Sequence, residues 1–463
     1  MKKFWLVLLS LGLVMAFSAS AFAVDVQFSG SYYAAGMYLD QTDLAKGGSS
    51  GNQSAAFYYQ RLQVNMNFIV SPGLKLVTRI DALDRIWGGA RGEAPGLDQS
   101  SYSIATRTDE QNIALNLMYV EYASPIGMFQ VGYIHDNAWG LQNGFGQSDV
   151  NGHATGGIEY LLPVGPFYFG GIIYKESDNS YSAVNPTQTS NDVDWDRYIL
   201  FALYNFKGGD VGILGGWDRN AAFKPLGLLV NVFYLQPKLT VKVGPVKVEA
   251  MFVYTWGSEA PESPYFAGLP PNVSMQDIMG DVDVNVNFGM FYFGGQFAYM
   301  SGAGSDPKNL KGGFTGGGLD WNPCLIMFNN DLTYWVGGIN APGGLNWSST
   351  GTGTGVGMTN AWFFQVDGGV RPIPKLDIKA ALAYAMADTN SPGYASDKSY
   401  GWELDVTGTY KITNNLSYML GVGYWWAGDY YKGNTGDPSA AGYNPNVSIH
   451  DDYMVINKLT LTF

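Results

Sequence analysis

Asp281-Val282-Asp283-Val284-Asn285-Val286-Asn287-Phe288 places four apolar side chains on one face and four polar ones on the other, with no break in register. A period of two is the signature of a β-strand whose faces meet different surroundings. Tyr58 to Val70 repeats it, with Leu62, Val64, Met66 and Phe68 opposed to Arg61, Gln63, Asn65 and Asn67. So does Val246 to Trp256, where Val248, Ala250, Phe252, Tyr254 and Trp256 share a face. Many such runs are ten to fourteen residues long (about twice a globular strand), and a tilted strand needs roughly 9 to 11 residues to cross a bilayer core.

The composition agrees. Charged residues are 14% of the 463, aromatics are 15%, and there are 61 glycines. A soluble domain carries about a quarter charged residues. The net charge of -13 excludes nucleic acid as a partner, since no basic stripe is left to hold a phosphate backbone. A hydrophobic share of 46% with mean hydropathy near zero argues against both disorder and a helical membrane protein, which needs repeated apolar runs of about 20 residues.

One apolar run does occur, at residues 1–23. Lys2 and Lys3 precede Phe4 to Phe17, and small residues at Ala21 and Ala23 complete the pattern of a cleaved secretory signal. Its loss takes the net charge to -15 and leaves residues 24–463 as a single domain. Cys324, the only cysteine, then has no partner for a disulfide, and no second soft ligand stands beside it in sequence.

Short turns alternate with long polar connections. Ser71-Pro72-Gly73, Pro163-Val164-Gly165, Gly244-Pro245 and Thr413-Asn414-Asn415 are of the first kind, and 40–56, 85–111, 175–192, 257–277 and 429–451 are of the second. Short periplasmic turns and long outer loops are the arrangement of a transmembrane antiparallel β-barrel. The chain is therefore all-β, with about eighteen strands between residues 25 and 463, sixteen and twenty being the neighbouring even counts. Residues 301–359 are the exception. Pro323 interrupts the first apolar run there and no short turn follows, so a long loop folded into or over the pore is favoured over an extra hairpin.

In the last strand Tyr453, Val455, Leu459, Leu461 and Phe463 share one face, opposite Met454, Ile456, Lys458, Thr460 and Thr462. An alternating strand ending in an aromatic residue resembles the recognition signal of the barrel assembly machinery, which makes Phe463 a candidate assembly signal. The chain as a whole resembles bacterial outer-membrane porins, and more loosely the eighteen-strand specific channels and alginate-export barrels. That resemblance implies the outer membrane of a Gram-negative bacterium, a water-filled pore for small hydrophilic solutes and ions, and a homotrimer. It carries no functional residue across.

Candidate pore residues come from the face opposite the lipid, because a lipid-facing Arg or Lys costs about 2 to 4 kcal/mol near the midplane. They are Arg61, Lys75, Arg79, Asp81, Arg197, Lys247, Glu249, Asp281, Asp283, Glu403, Asp405 and Lys458. Arg61, Arg79, Asp81 and Arg197 sit near mid-strand and are the constriction candidates, the bland alternative being simple pairing with a neighbouring strand. The acidic excess points to a weak cation preference. Most aromatics fall near strand ends, as interfacial girdles do.

Catalysis finds no support. His135, His153 and His450 stand in no spacing that suggests a triad, and no metal-protease or phosphate-loop motif occurs. No cofactor is implied. Asp192-Val193-Asp194-Trp195-Asp196 and Asp451-Asp452 offer oxygen ligands for calcium, or for lipopolysaccharide through bridging cations, with a solvated acidic loop the plainer reading. Three functions are carried forward: a diffusion porin, a substrate-specific or polysaccharide-export channel, and a sheath for a partner such as a cytochrome.

Overall fold

The structure is a computed structural model. It describes residues 24–46, 54–87, 113–135, 154–181, 192–222, 224, 228–261, 273–302, 304, 306, 308–312, 322–329, 332, 339, 360–389, 397–432 and 448–463. The leader at 1–23 and most of the long connections lie outside the described residues.

Every long alternating run becomes a strand. The first six are β1 (Asp25–Leu39), β2 (Ala55–Ser71), β3 (Leu74–Ile86), β4 (Ile113–Ser124), β5 (Gly127–His135) and β6 (Ala154–Val164). Then come β7 (Phe167–Ser177), β8 (Trp195–Phe206), β9 (Gly209–Asn220), β10 (Leu228–Val243), β11 (Val246–Pro261), β12 (Val273–Phe288) and β13 (Phe291–Met300). After a three-residue β14 (Asn309–Lys311) follow β15 (Ala361–Ile373), β16 (Leu376–Ala387), β17 (Ser399–Lys411), β18 (Leu416–Ala427) and β19 (Asp452–Thr462).

Each long strand pairs antiparallel with its neighbours in sequence, and β1 pairs with β19 from Ser31↔Thr462 to Leu39↔Met454. The sheet thus closes into an eighteen-stranded barrel, leaving no wall strand with an open edge to meet lipid. β14 is an addition that the periodicity does not reveal: it lies parallel to β12, with Ser274 opposite Asn309. β13 pairs directly with β15, Met300 opposite Ala361, so the region between them adds no hairpin to the wall.

The alternation divides two environments. On β17, Trp402, Leu404 and Val406 face out while Glu403 and Asp405 are buried inside. Outward positions are apolar around the barrel, as at Leu200, Ile213, Phe252, Val366 and Leu420. Inward positions differ with depth. Toward the long-loop end they form a buried apolar collar that includes Met37, Tyr59, Ile134, Tyr174, Met300, Phe363, Trp425 and Met454. Toward the short-turn end they are polar and more open.

Candidate functional site

Arg61, Arg79 and Asp81 meet on the inner wall because β2 and β3 run in register there: Gln63 stands opposite Asp81 and Asn65 opposite Arg79, so same-face neighbours fall within side-chain reach. Arg61 Nη2 donates to Asp81 Oδ2 at 2.5 Å, and Arg79 Nε lies 3.7 Å from Oδ1. The Arg61 and Asp81 side chains are 2% and 0% exposed. Such a pair depends on mutual compensation, because either charge left alone in this position is strongly unfavourable.

Two irregularities shape the cluster. Leu83 and Asp84 are inserted opposite Arg61, between the Gln60↔Arg85 and Leu62↔Ala82 pairs, and Leu83 takes a positive φ of 54°. In β4, Asn116 is inserted between Leu115 and Leu117, the partners of Ile80 and Arg79. That bulge lets the Asn116 amide donate to Asp81 Oδ2. Strict alternation would place Asn116 outside the inward set, so the sequence pattern passed over it. Arg85, also buried, keeps the parity of Arg79 and Asp81 but falls in the stretch 85–111 read from sequence as a long connection, whereas β3 runs on to Ile86.

Arg197, the fourth constriction candidate, lies on β8 with its own acids. Its guanidinium is 2.8 Å from Glu176 Oε1 and 3.4 Å from Asp218 Oδ2, and 5.7 Å from the centre of the Tyr174 ring. It does not join the β2–β4 cluster.

Closer to the short turns the pairs are half-exposed. Lys75 meets Glu121 at 2.9 Å, Lys247 meets Glu249 at 2.7 Å, and Arg371 meets Asp377 at 2.8 Å. Lys379 approaches Asp367 at 3.3 Å. Glu249 stands opposite Asp283, and Met251 opposite Asp281, which concentrates acid on β11 and β12; Asp281 is buried, while Asp283 accepts from Asn285 Nδ2. Lys458 lies over the Tyr33 ring, 4.2 Å from its centre. The neighbouring-strand pairing weighed from sequence thus describes Arg61 and Arg197, and Lys75 as well, whereas Lys247 pairs with Glu249 of its own strand.

Glu403 and Asp405 are engaged differently, by residues 322–329. Ile326 N and Met327 N donate to Glu403 Oε1 and Oε2, both at 2.6 Å, and Leu325 N donates to Asp405 Oδ2 at 3.1 Å. Gln365 Nε2 donates to Pro323 O at 2.7 Å. This part of the 301–359 region is thus seated on the inner wall, against β15 and β17. Donor atoms of Cys324, Glu403 and Asp405 lie within 4.8 Å of one another, but both Glu403 oxygens and one of Asp405's already accept peptide N–H groups. Neither Gln365 nor the segment's backbone was foreseen as a partner.

Among the described residues the acidic run at 192–196 is held by cations of the chain itself. Asp192 contacts Arg219 at 2.7 Å and also Lys224, and hydrogen bonds from Lys224 and Arg219 hold its carboxyl below the usual range. Lys175 lies 2.8 Å from both Asp194 and Asp196.

No protein-family model and no curated protein matches the chain. Solved structures do. A BenF-like porin from Pseudomonas fluorescens Pf-5 aligns over 95% of this chain and 99% of its own, with 11% identity and a TM-score of 0.51. OpdK from Pseudomonas aeruginosa, crystallised with vanillate, aligns over 94% and 99% with 12% identity and a TM-score of 0.50. OccK2 (OpdF) from Pseudomonas aeruginosa aligns over 95% and 98% with 11% identity and a TM-score of 0.50. The fold of the chain is that of these multi-pass outer-membrane β-barrels.

Proposed function

We propose that residues 24–463, freed of a signal peptide at 1–23, form a single outer-membrane channel domain that passes small hydrophilic solutes and ions selectively. Residues 301–359 enter the pore and narrow it. The seating of 322–329 on Glu403 and Asp405 carries this reading, because a segment bound to the inner wall leaves less bore than an open diffusion pore has. The buried apolar collar supports it, since packed side chains there take up room on the inner face, and the half-exposed charged pairs nearer the short turns are the groups a solute meets. Selection by charge falls to Arg61, Arg79 and Asp81 together with the open acids of β11 and β12. A substrate-specific channel fits this lumen better than general diffusion, and OpdK, a barrel of similar fold, was crystallised with vanillate.

Planar-bilayer recording under a salt gradient tests the reading. The expected result is a small, solute-sensitive conductance with a reversal potential on the cation side, and vanillate serves as a first blocking probe. Near-zero conductance would favour the sheath reading instead, and a large conductance insensitive to every added solute would favour general diffusion.

A further inference from the structure

Three consecutive peptide N–H groups, those of Leu325, Ile326 and Met327, end on two carboxylates of β17 that lie 76 to 80 positions away. Glu403 takes two of them, one on each oxygen at 2.6 Å, and its side chain is wholly buried. The barrel has no need of this acid for its own hydrogen bonding, since the β17 ladder to β16 and β18 is made by backbone groups. A carboxyl group withdrawn from water is tolerated where short hydrogen bonds replace its hydration, and here the segment supplies them.

The surroundings are cut to the same fit. A Cβ on Gly423 of β18 would stand 2.6 Å from Asp405 Oδ1 and 3.1 Å from Leu325 Cβ, so the wall is bare of side chain where the segment rests. Asn329 Nδ2 closes the segment on itself, donating to Leu325 O at 2.8 Å and Cys324 O at 3.2 Å. Phe328 meets Phe363 and Tyr400 edge-on at 5.8 and 6.0 Å.

We infer that Glu403 is the positioning residue that seats the inserted segment on the barrel wall and thereby sets the bore of the channel, with Asp405 as a second attachment. The bore part of this inference rests on the proposed channel function, and the seating part does not. Cys324 makes the two separable. It is the chain's only thiol, it lies in the seat beside both carboxylates, and its Sγ accepts from Gln365 Nε2 at 3.6 Å. Burial, reinforced by the nearby acids, pushes this thiol well above its usual range, so it stays unreactive while the segment is seated.

The experiment labels the purified, folded full-length barrel with a membrane-impermeant maleimide and records single channels from the same preparation. Wild type is expected to label slowly. Glu403→Ala, having lost two short buried hydrogen bonds, should label about a hundredfold faster and conduct more. Glu403→Gln keeps one acceptor oxygen and should fall between. Phe328→Ala unseats the segment without altering β17, so it reports the same transition if Glu403→Ala does not fold. Folded Glu403→Ala labelling at the wild-type rate would overturn the seating role. Faster labelling with unchanged conductance would overturn control of the bore. A wild type that conducts nothing would overturn the channel reading while the labelling still reported on the seat.

Discussion

Gly30 and Phe463 exchange a pair of backbone hydrogen bonds: Gly30 N donates to Phe463 O at 2.8 Å and Phe463 N to Gly30 O at 3.0 Å. They finish the β1–β19 seam, the pairing that joins the two most distant strands of the chain. Long-range pairing of this kind must overcome the largest loop-closure entropy. Gly30 permits the approach, since a Cβ there would stand 2.3 Å from Gln63 O and 2.8 Å from the Phe463 ring. Gly30→Val is therefore expected to lose the compact, heat-modifiable species in gel mobility assays. Phe463→Ala leaves the backbone pair intact and should refold in detergent as wild type does. If the Phe463 side chain is the assembly signal, the same variant should reach the outer membrane of cells in reduced amount.

Asp81 receives Arg61 and Asn116 and lies near Arg79, all on the inner wall. Asp81→Ala should destabilise the barrel by about 3 to 5 kcal/mol, the range for removing one partner of a buried pair. Denaturant unfolding in detergent reads this directly. Asp81→Asn preserves volume and leaves the arginines with a neutral neighbour, so the reversal potential should move toward anions. An unchanged potential would exclude this cluster from ion selection.

The barrel was legible in the sequence because a lipid-facing strand must obey period two over its whole crossing. From Arg61 to Phe68 and from Asp281 to Phe288 nothing interrupts it, and both runs lie within strands. The charged positions were legible for the same reason. Their partners were not. Asn116 reaches Asp81 through a bulge, and a one-residue insertion erases the parity that would have pointed to it. Glu403 and Asp405 read as free lumenal acids because their donors are backbone groups of Leu325, Ile326 and Met327, which a residue-type search does not see. Pro323 gave only the hint that this stretch was not an ordinary strand.

Lys247 and Glu249 show the opposite balance of stability and function. Their ion pair is 2.7 Å long, with side chains 44% and 41% exposed, so water screens it. Exposed pairs contribute about 0 to 1 kcal/mol, and Lys247→Ala or Glu249→Ala should leave the melting behaviour nearly unchanged. Both face the lumen on β11, Glu249 opposite Asp283. Lys247→Ala should therefore raise cation preference and Glu249→Ala lower it. Equal reversal potentials in the two variants would show that ions do not pass close to this pair.

Asp194 ties the chain just after β7 to the start of β8. Its Oδ1 accepts from Ser180 Oγ at 2.7 Å and from the backbone N–H groups of Ser180 and Asn179 at 3.0 and 3.1 Å, while Oδ2 takes Lys175 Nζ at 2.8 Å. Partial burial works against the charge, but the hydrogen bonds from Lys175, Ser180 and Asn179 outweigh it and bring the carboxyl down to about 2. An unfolded aspartate titrates near 3.9, so the folded value is the lower one. The stabilisation is thus complete above about pH 4 and is lost as the pH falls through the folded value. Amide exchange at Asn179 and Ser180 should stay slow from neutral pH down to about 4, once corrected for the intrinsic pH dependence of exchange, and accelerate toward pH 2. In Asp194→Ala, which removes the acceptor, the same amides should exchange fast at every pH. If protection at pH 5 is the same in both proteins, the Asp194 carboxylate does not hold this connection.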